Sequence, residues 1–574
     1  MDKPCAQCGS TFTIADEDLA FYDKVSPVFG DVKYAIPAPT HCPACRSQRR
    51  LSHRNGRTLY QRKCDGTGEN IISVYHPDAT FPVYSVEHWY SDNWDGLSFG
   101  RDFDFTRSFF EQFHELSKLV PRACLLNEAN ENSPYTSYAG WNKDCHLIFY
   151  SDYNNQCYYI GDSFHNVNCM DCSFSNRNEL CYELINSFEC YNSKYIYDSK
   201  NCLDSWFLKN CLGCKNCIGC VNLRQKEYCI FNEQYTKEEY EKKRNEFGFN
   251  NHQYIAEFGK RFQEYAVQFP QKSYHGVQNE NVSGDYITTS QNLKNCFHVE
   301  ASQDCAYLND CQKCKNCYDM DGWGGSAAEM VYEGQTVGEK VQNLLFSSFV
   351  LSSSHDIMYS EFCTNNSKYL FGCTGLKKQK YCILNKQYTK EEYESLVPKI
   401  IEHMKSTPYP YNGQAHASAC VEFGEFFPSS LSPFGYNETQ AFEQFPLTEE
   451  DALNRGFKWR AKDPKNYLPQ NYTLPVSSND ICEKILACEV TGKNYKIIPQ
   501  ELKFYKEMDL PIPRKCPEQR HLDRLQLQNP RHLWNRSCDK CSSPIQTTYA
   551  PDRPEKIYCE KCYLKLVYGI PSGW

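Results

Sequence analysis

Two groups of cysteines have the spacing of metal ligands. The chain reads Cys-x2-Cys-x17-Cys-x2-Cys near the carboxyl end and Cys-x2-Cys-x33-Cys-x2-Cys near the amino end. A Cys-x2-Cys turn presents two thiolates about 4 Å apart, and two such turns close a tetrahedral shell around zinc. The sequence therefore predicts two Zn²⁺ per chain, with these ligands: Cys5, Cys8, Cys42 and Cys45 in one site, and Cys538, Cys541, Cys559 and Cys562 in the other.

A shell of four thiolates leaves no coordination position for water, so both sites are predicted to be structural zinc ribbons rather than catalytic centres. The carboxyl-terminal spacing is typical of a zinc ribbon, whereas the amino-terminal loop is longer than usual. The alternative at each group is a pair of reduced turns without metal. Small β-hairpin modules that lack a core tolerate that state poorly.

The two ends of the chain are copies of one another. One constant shift places CPACRSQRRLSHRNGRTLYQRKC, from Cys42 to Cys64, on CPEQRHLDRLQLQNPRHLWNRSC, from Cys516 to Cys538. Each copy keeps the ligand set that the other has lost. The lost counterparts are Cys488, Thr491, Cys516 and Gln519 for the first site, and Cys64, Thr67, Ser85 and His88 for the second. A rearranged site of Cys482, Cys488, Cys516 and His521 is less favoured than a packed histidine with free thiols.

Cysteines also recur through the middle of the chain, at intervals of 9 or 12. They stand at 157, 169, 181, 190, 202, 211, 220 and 229, within short β-prone segments separated by Asn, Ser, Asp and Gly. This pattern predicts a parallel β-solenoid with an internal ladder of cysteines, which resumes at 296, 305, 311, 314, 317, 363, 373 and 382. Cys211–Cys220 and Cys311–Cys317 have steps of three, as in some iron–sulfur proteins. Packing is favoured, because the first cluster lies inside the 9-residue ladder and lacks the Cys-x3-Cys-Pro ending of bacterial ferredoxins.

Helices are expected at the ends of the solenoid segments. Charges and spaced aromatics in Thr236–Gln271 predict one or two amphipathic helices. YCIFNEQYTKEEY at 228–240 recurs as YCILNKQYTKEEY at 381–393, so a coil-then-helix unit is predicted twice. Residues 102–119 place Phe109, Phe110, Phe113 and Leu116 on one face of a predicted capping helix. Residues 407–433 show neither a helical nor a strand period and are interpreted as a connector.

The predicted fold is mainly β with helical insertions: a central parallel β-solenoid flanked by duplicated zinc-ribbon modules. The predicted segments are a ribbon module (1–92), a capping helix and connector (93–143), solenoid part A (144–235), a helical insertion (236–275), solenoid part B (276–388), a helix and connector (389–479), and a second ribbon module (480–574).

Composition narrows the class of protein. The chain has 574 residues, 34 cysteines, a net charge of −9 and a mean hydropathy of −0.67. No apolar run approaches the roughly 18 residues of a membrane-spanning helix. The amino terminus enters directly into a Cys-x2-Cys pair without a signal-peptide pattern. These features predict a soluble cytoplasmic protein, without membrane contact, whose cysteines are reduced.

No nucleophile with its base, phosphate loop, HExxH motif or open metal site stands out, so the sequence favours a non-catalytic protein and names no catalytic residue. A solenoid enzyme acting on a glycan is the alternative activity, and a structural scaffold for protein interaction is another. The sequence does not determine the oligomeric state.

A basic run suggests a macromolecular partner. Arg46–Lys63 holds seven Lys or Arg and no acid, a mixture that suits phosphate contacts. RNA or a ribonucleoprotein is therefore favoured slightly over a protein partner. The candidate nucleic-acid residues are Arg46, Arg49, Arg50, Arg54, Arg57, Arg62, Arg520, Arg524, Arg531 and Arg536. The alternative is that these arginines form a solvated helix face or pair with the chain's own acids.

The motifs that carry a resemblance are CPACRSQRRLSHRN, SVYHPDATFPVYSVEHWYSDNWD from Ser73, GRDFDFTRSFFEQF from Gly100, the cysteine ladder, CPEQRHLDRL and the final ribbon. Through them the chain resembles a family of cysteine-rich proteins. That family is common in the genomes of uncultivated, ultra-small bacteria and has no established activity. Some members are labelled acyl-CoA transferases, but the residues of this chain give no physical support for a CoA site or a catalytic carboxylate.

Overall fold

The computed structural model describes residues 1–322, 328–335, 345, 347, 355–410, 420–421, 423–461, 467 and 479–569. The fold is mainly β, with a parallel β-solenoid and helices, as predicted. The chain forms two compact units: unit 1 comprises Met1–Leu125 and His275–Ala461, and unit 2 comprises Leu126–Tyr274 and Lys462–Trp574. Each unit combines one terminal module with one solenoid segment. The seven predicted segments stay a prediction as domains.

Solenoid A, residues 126–235 of unit 2, stacks parallel coils of equal length. Lys194 pairs in parallel with Tyr182 and with Trp206, and bridges such as Glu131 to Lys143 extend this register through the earlier coils. The predicted parallel solenoid is confirmed. Its strands are Asn127–Glu128, Ala139–Gly140, Tyr182–Ile185, Lys194–Tyr197, Trp206–Lys209, Lys215–Val221, Glu227–Ile230 and Glu233–Gln234.

Each coil of solenoid A consists of triplets. The backbone turns at every third residue, so Asp144, Leu147 and Tyr150 have φ angles of 53°, 50° and 55°. The residue after each turn is buried inside the coil. One coil buries Asn142, Cys145, Ile148 and Ser151, and the next buries Asn154, Cys157, Ile160 and Ser163. The cysteine intervals of 9 and 12 are multiples of three, so the cysteines keep to inward positions.

Inward side chains also act as hydrogen-bond partners for the neighbouring coil. The backbone N–H of Ser175 donates to Oγ of Ser163 at 3.1 Å, and that of Cys157 donates to Sγ of Cys145 at 3.4 Å. The Cys157 thiol in turn donates to the carbonyl of Asn155 at 3.4 Å. A buried N–H without a partner is costly, so these positions favour small side chains that accept a hydrogen bond. The ladder cysteines therefore do more than fill space.

The Ser163→Ala variant should open solenoid A locally. It removes the acceptor of the Ser175 N–H and leaves that buried donor without a partner, at a cost of about 1–3 kcal/mol. Amide hydrogen exchange around Ser175, read by mass spectrometry, should accelerate about 5- to 150-fold. Ser163→Cys is the matched control, because cysteine fills this role in neighbouring coils, and it should largely retain protection. Equal acceleration in both variants would contradict the role of the side-chain acceptor.

Solenoid B, residues 276–388 of unit 1, has less regular coils. The step from Gln291 to its partner Gln303 equals one coil of solenoid A, whereas the step from His355 to Lys368 is longer by one. The predicted resumption of the solenoid is confirmed where the chain is described; residues 323–327, 336–344, 346 and 348–354 lie outside that part. The strands are Gly276–Val277, Glu280–Thr288, Gln291–Glu300, Gln303–Ala306, Asn309–Gln312, Cys314–Lys315, Ala328–Glu329, His355–Met358, Lys368–Phe371, Lys380–Ile383 and Lys386–Gln387.

The repeated sequence YC-x-x-N-x-QYTKEEY ends both solenoids in the same way. In solenoid A a short antiparallel return strand precedes helix Lys237–Arg244, and in solenoid B one precedes helix Lys390–Ser406. Both helices begin with a capping box, of Thr236 with Glu239 and of Thr389 with Glu392. The coil-then-helix unit is confirmed. The predicted helical insertion is confirmed too, and its second helix is His252–Ala266.

The aromatic helix of unit 1 is shorter than the segment from which it was predicted. It spans Phe109–Leu119, and its four predicted apolar side chains are buried. Phe109 packs on solenoid B, with ring centroids 5.3 Å from Tyr359 and 5.2 Å from Phe371. The preceding residues stay outside the helix because Asp104 accepts hydrogen bonds from the backbone and side chain of Thr106, a turn that competes with helix.

Residues 407–433, the segment interpreted as a connector, contribute buried aromatic side chains to unit 1. Phe423, Phe426 and Phe427 are fully buried in the main core of unit 1, and Phe427 lies 5.0 Å from Phe113 between ring centroids. Irregular backbone gives no helical or strand period, so its buried aromatics were missed. Residues 411–419 and 422 of this segment lie outside the described chain.

The remaining elements belong mostly to the terminal modules. Unit 1 has helices Asp16–Val25, Pro43–Leu51, Val86–Tyr90, Gln440–Gln444 and Glu449–Asn454, 3-10 turns Gly96–Phe99, Ser429–Leu431 and Tyr436–Glu438, and strands Asp2–Pro4, Thr11–Thr13, Val28–Phe29, Val32–Lys33, Tyr60–Lys63, Asn70–Ser73, Val83–Tyr84, Arg122–Ala123, Tyr409–Pro410 and Cys420–Val421. Unit 2 has helices Pro499–Glu507, Pro517–Gln526 and Glu560–Tyr568, the 3-10 turn Asn479–Glu483, and strands Gln271–Lys272, Leu486–Ala487, Asn494–Tyr495, Trp534–Ser537, Pro544–Thr547 and Ile557–Tyr558. No described helix has both the length and the apolar character needed to cross a bilayer.

Candidate metal centres and arginine clusters

The amino-terminal site brings its four predicted cysteines together. Cys5 and Cys8 lie in the turn after strand Asp2–Pro4, and Cys42 and Cys45 lie where helix Pro43–Leu51 begins. Their sulfur atoms are all within 4.8 Å of one another, and Sγ of Cys8 is 3.9 Å from Sγ of Cys42. The long loop between the two pairs contains helix Asp16–Val25, which accounts for its unusual length.

The carboxyl-terminal site has the same construction. Cys538 and Cys541 follow strand Trp534–Ser537, and Cys559 and Cys562 stand at the start of helix Glu560–Tyr568. The four sulfurs again lie within 4.8 Å of one another, with 3.7 Å between Sγ of Cys541 and Sγ of Cys559. The backbone N–H of Cys559 donates to Sγ of Cys538 at 3.2 Å, just as that of Cys42 donates to Cys5 at 3.3 Å.

Both clusters fit a tetrahedral metal ion. Zinc–sulfur bonds of about 2.3 Å place the sulfurs of a tetrahedron roughly 3.8 Å apart, close to the 3.9 Å and 3.7 Å measured across the two sites. Hydrogen bonds with Cys42 and Cys45 hold the pKa of Cys5 far below its usual range, and a hydrogen bond with the Ser543 hydroxyl lowers the pKa of Cys541 to about 6. The hydrogen bonds with Cys42 and Cys5 raise the pKa of Cys45, and burial, together with hydrogen bonds within the other cluster, raises the pKa of Cys562 to about 12. Each cluster by itself therefore favours a thiolate beside protonated thiols, and a metal ion would have to displace the remaining protons.

The two degenerate sites keep the turn without the ligand set. Gly68 and Gly492, in the left-handed region at φ 78° and 69°, donate their N–H groups to the carbonyls of Cys64 and Cys488 at 2.8 Å. Gly9 closes the intact turn at Cys5 in the same way. Burial raises the pKa of Cys488, but hydrogen bonds from Thr491 and nearby backbone N–H groups outweigh it and bring the pKa to about 7. The turns thus persist after metal ligands are lost.

In the described part of the chain, only these two four-cysteine groups bring three or more His, Cys, Asp or Glu ligands within 4.8 Å of one another. The clusters Cys211–Cys220 and Cys311–Cys317 are fully buried along the solenoid ladders, and their thiols donate to backbone carbonyls, as from Cys217 to Lys215 at 3.3 Å. Every cysteine whose side chain is described is free of disulfide bonds.

No family model, curated protein or solved structure matches this chain.

A cluster of arginines lies beside the amino-terminal site. Helix Pro43–Leu51 carries Arg46, whose Nε and second terminal nitrogen lie 3.0 and 2.8 Å from the two carboxylate oxygens of Asp319 in solenoid B. One turn later, Nε of Arg50 donates to Asp321 at 2.6 Å. Arg49 on the adjacent face donates to Glu333 at 2.7 Å and to Glu425 at 3.0 Å. These ion pairs are buried and join the module helix to the solenoid.

Unit 2 has an equivalent cluster. Arg520 and Arg524, on helix Pro517–Gln526, lie 3.2 and 2.8 Å from the carboxylate oxygens of Asp171 in solenoid A. Arg524 also lies 3.4 Å from Glu183, and burial raises the pKa of Glu183 to about 7 against the opposing charge of Arg524. Arg520 lies 3.5 Å from Glu501.

The two clusters have in common two arginines, one aspartate and one tyrosine. Arg46 stacks over Tyr307 at 5.1 Å and Arg520 over Tyr159 at 4.8 Å, and each tyrosine precedes the paired aspartate by one coil. Both aspartates occupy left-handed turn positions, which aspartate tolerates well. The carboxylates were not predicted. The sequence signal that marks them is Asn-Cys-x-Asp, at 168–171 and 316–319, with a tyrosine twelve residues before the aspartate. The same tetrapeptide at 201–204 lacks that tyrosine.

The ten arginines predicted to bind nucleic acid all face inward or are partly covered. Arg46, Arg49, Arg50, Arg54, Arg520 and Arg524 are buried, and Arg57, Arg62, Arg531 and Arg536 are half-buried. Arg54 donates to the carbonyl of Asp321. Arg57 lies near Glu443, while Arg62 and Arg536 donate to the carbonyls of His76 and Ala550. The guanidinium groups of the buried six are held by carboxylates and carbonyls of the same chain, and the nucleic-acid interface stays a prediction.

Proposed function

We propose that this chain is a non-catalytic scaffold in which each four-cysteine site holds one structural Zn²⁺. Four thiolates complete the shell, so the bound ion supplies a fixed crosslink and no position for substrate. In each unit the zinc would hold together a module too small to be stable through its own core.

One observation carries the proposal: at both sites the second ligand pair begins a helix that packs on the solenoid. Cys42 and Cys45 begin the helix whose arginines pair with Asp319 and Asp321. Cys559 and Cys562 begin helix Glu560–Tyr568, and the Tyr563 hydroxyl of this helix donates to Asn222 of solenoid A at 3.1 Å. A metal at either site therefore fixes the helix that holds module and solenoid together.

The partner of this scaffold is proposed to be a protein rather than RNA. The candidate phosphate-binding arginines are engaged inside the chain, and the net charge of −9 disfavours a polyanion. A reducing compartment such as the cytoplasm suits the free cysteines and the zinc thiolates.

Metal and nucleic-acid content measured on one purified sample tests the proposal. Native mass spectrometry and elemental analysis should give two zinc ions per chain and no iron. The ultraviolet spectrum at low salt should be that of protein alone. Four metal ions per chain, any stoichiometric iron, or RNA that co-purifies and dissociates as salt rises would overturn it.

A further inference from the structure

A cavity of about 230 Å³ lies in unit 1, away from both cysteine sites. It opens where the end of helix Phe109–Leu119 meets residues 78–81, 431–433 and 458–460. Phe81, Leu431 and Pro433 give it one apolar wall, and most of the rest of the lining is polar and includes four cationic side chains and Asp78. The volume is below the roughly 300–1,000 Å³ of pockets that enclose drug-sized ligands, so it suits a smaller molecule.

The charges around this cavity do not balance. It is lined by Lys118, Arg122, Lys458 and Arg460. Arg122 pairs with Glu361 at 2.8 Å, and Arg460 pairs with both carboxylate oxygens of Asp78 at 3.0 Å. In the described part of the chain no carboxylate pairs with Lys118 or Lys458. Lys458 donates to the carbonyl of Ser432 at 2.7 Å, and Lys118 is exposed to solvent, so two positive charges line the cavity without a carboxylate partner.

The crowding of positive charge also affects two titrating groups on the cavity wall. Burial is the main cause that lowers the pKa of Lys458 to about 8, and the positive charges of Lys118 and Arg122 lower it further. Burial and the charges of Lys118, Lys458 and Arg122 lower the pKa of His114 to about 4. At neutral pH the lysine is still mostly charged, whereas the imidazole is neutral. An anion in the cavity would relieve this repulsion.

The wall also offers hydrogen-bonding groups without partners. Arg122 is only 4% exposed, yet its buried Nε has no hydrogen-bond partner, and Nδ1 of His114 has none either. A buried polar group left in this state costs about 1–3 kcal/mol. An anion in the cavity would form charge-assisted hydrogen bonds with the lysine ammonium groups, and hydrogen bonds of this kind are the stronger ones.

We propose that this cavity binds a small phosphate monoester. The dianionic phosphate is placed among Lys118, Lys458 and Arg122, and it neutralises the two lysine charges that have no counterion. The organic part lies against the apolar wall at Phe81 and Leu431. This is a ligand-binding role for the scaffold and is independent of its metal sites.

Isothermal titration of the full-length zinc protein in 150 mM NaCl tests the proposal, with inorganic phosphate, ribose 5-phosphate and succinate as probes. Ribose 5-phosphate should bind one molecule per chain, more tightly than inorganic phosphate, and succinate should bind most weakly. Lys118→Met and Lys458→Met should each weaken ribose 5-phosphate about 10- to 150-fold, the equivalent of one charge-assisted hydrogen bond. Lys399→Met, which removes an exposed charge from helix Lys390–Ser406, is the matched control and should change nothing.

Circular dichroism and zinc content should be the same in all three variants, so that a loss of binding reports on the cavity rather than on folding. Equal affinity for phosphate and ribose 5-phosphate would assign the site to free phosphate and overturn the monoester. Equal affinity for succinate, no binding of any probe at millimolar concentration, or unchanged binding in both cavity variants would overturn the site itself.

Discussion

The Cys538→Ser variant is expected to bind one zinc ion per chain instead of two and to release helix Glu560–Tyr568 from solenoid A. Structural zinc contributes roughly 10–16 kcal/mol of apparent binding free energy in small zinc domains, and that energy is also their folding energy. Loss of one thiolate should therefore unfold the local module at room temperature. Native mass spectrometry measures the metal, and hydrogen exchange over 538–568 measures the unfolding.

The internal duplication supplies a matched control for this change. Cys64 is the counterpart of Cys538, is equally buried, and accepts the backbone N–H of Ser85 at 3.2 Å, just as Cys538 accepts that of Cys559 at 3.2 Å. The Cys64→Ser variant should keep both zinc ions and normal exchange. If Cys64→Ser loses zinc, the assignment of intact and lost sites is wrong; if Cys538→Ser keeps two ions, the carboxyl-terminal site is not the one described.

The Asp319→Asn variant should destabilise unit 1 by about 3–5 kcal/mol, the range measured when one partner of a buried ion pair is removed. Asp319 lies 2.8 Å from Arg46 and 3.3 Å from Arg50, and all three side chains are almost completely buried. Removing the negative charge of Asp319 leaves the positive charges of Arg46 and Arg50 in a low-dielectric interior with fewer opposite charges beside them. Urea unfolding measures the loss of stability, and hydrogen exchange in helix Pro43–Leu51 and in solenoid B shows where it occurs.

Two comparisons separate this effect from a general loss of charge. Asp171→Asn should have a similar effect on unit 2, because Asp171 pairs with Arg520 and Arg524 in the same way. Asp23→Asn removes an exposed pair with Lys33 and should cost only about 0–1 kcal/mol. A cost below about 1 kcal/mol for both buried aspartates, as for an exposed pair, would show that the clusters do not hold modules and solenoids together.

The paired clusters change the interpretation of the basic runs. The same arginine spacing that suits phosphate contacts also suits carboxylates arranged along a solenoid face, since both ligands present oxygen pairs to guanidinium groups. A basic helix therefore does not distinguish an external polyanion from an internal acidic surface. In this chain Asp319 and Asp171 occupy equivalent turn positions in two different coils, and each pairs with two arginines.

Local sequence predicted the elements that depend on short-range spacing. The ligand pairs at Cys5 and Cys538, the coil-then-helix repeats, and the inward cysteines follow from short periods, because turn and strand geometry repeats over such distances. The three-residue repeat within each coil could also have been read from the sequence, because the cysteine intervals of 9 and 12 are both multiples of three. The buried aromatics of residues 407–433 were missed because irregular backbone has no period to detect.

The sequence by itself determined the two four-cysteine clusters, the parallel solenoid and the duplication of the ends, since each depends on residues close in the chain or on direct repetition. Only the tertiary structure decided which solenoid segment each module packs against. The amino-terminal module pairs its arginines with carboxylates far downstream, in solenoid B, and the carboxyl-terminal module pairs with those far upstream, in solenoid A. Both solenoid segments offer the same tyrosine and aspartate to a module helix. The local sequence pattern therefore does not show which segment a module packs against, and only the packing of whole surfaces distinguishes the two.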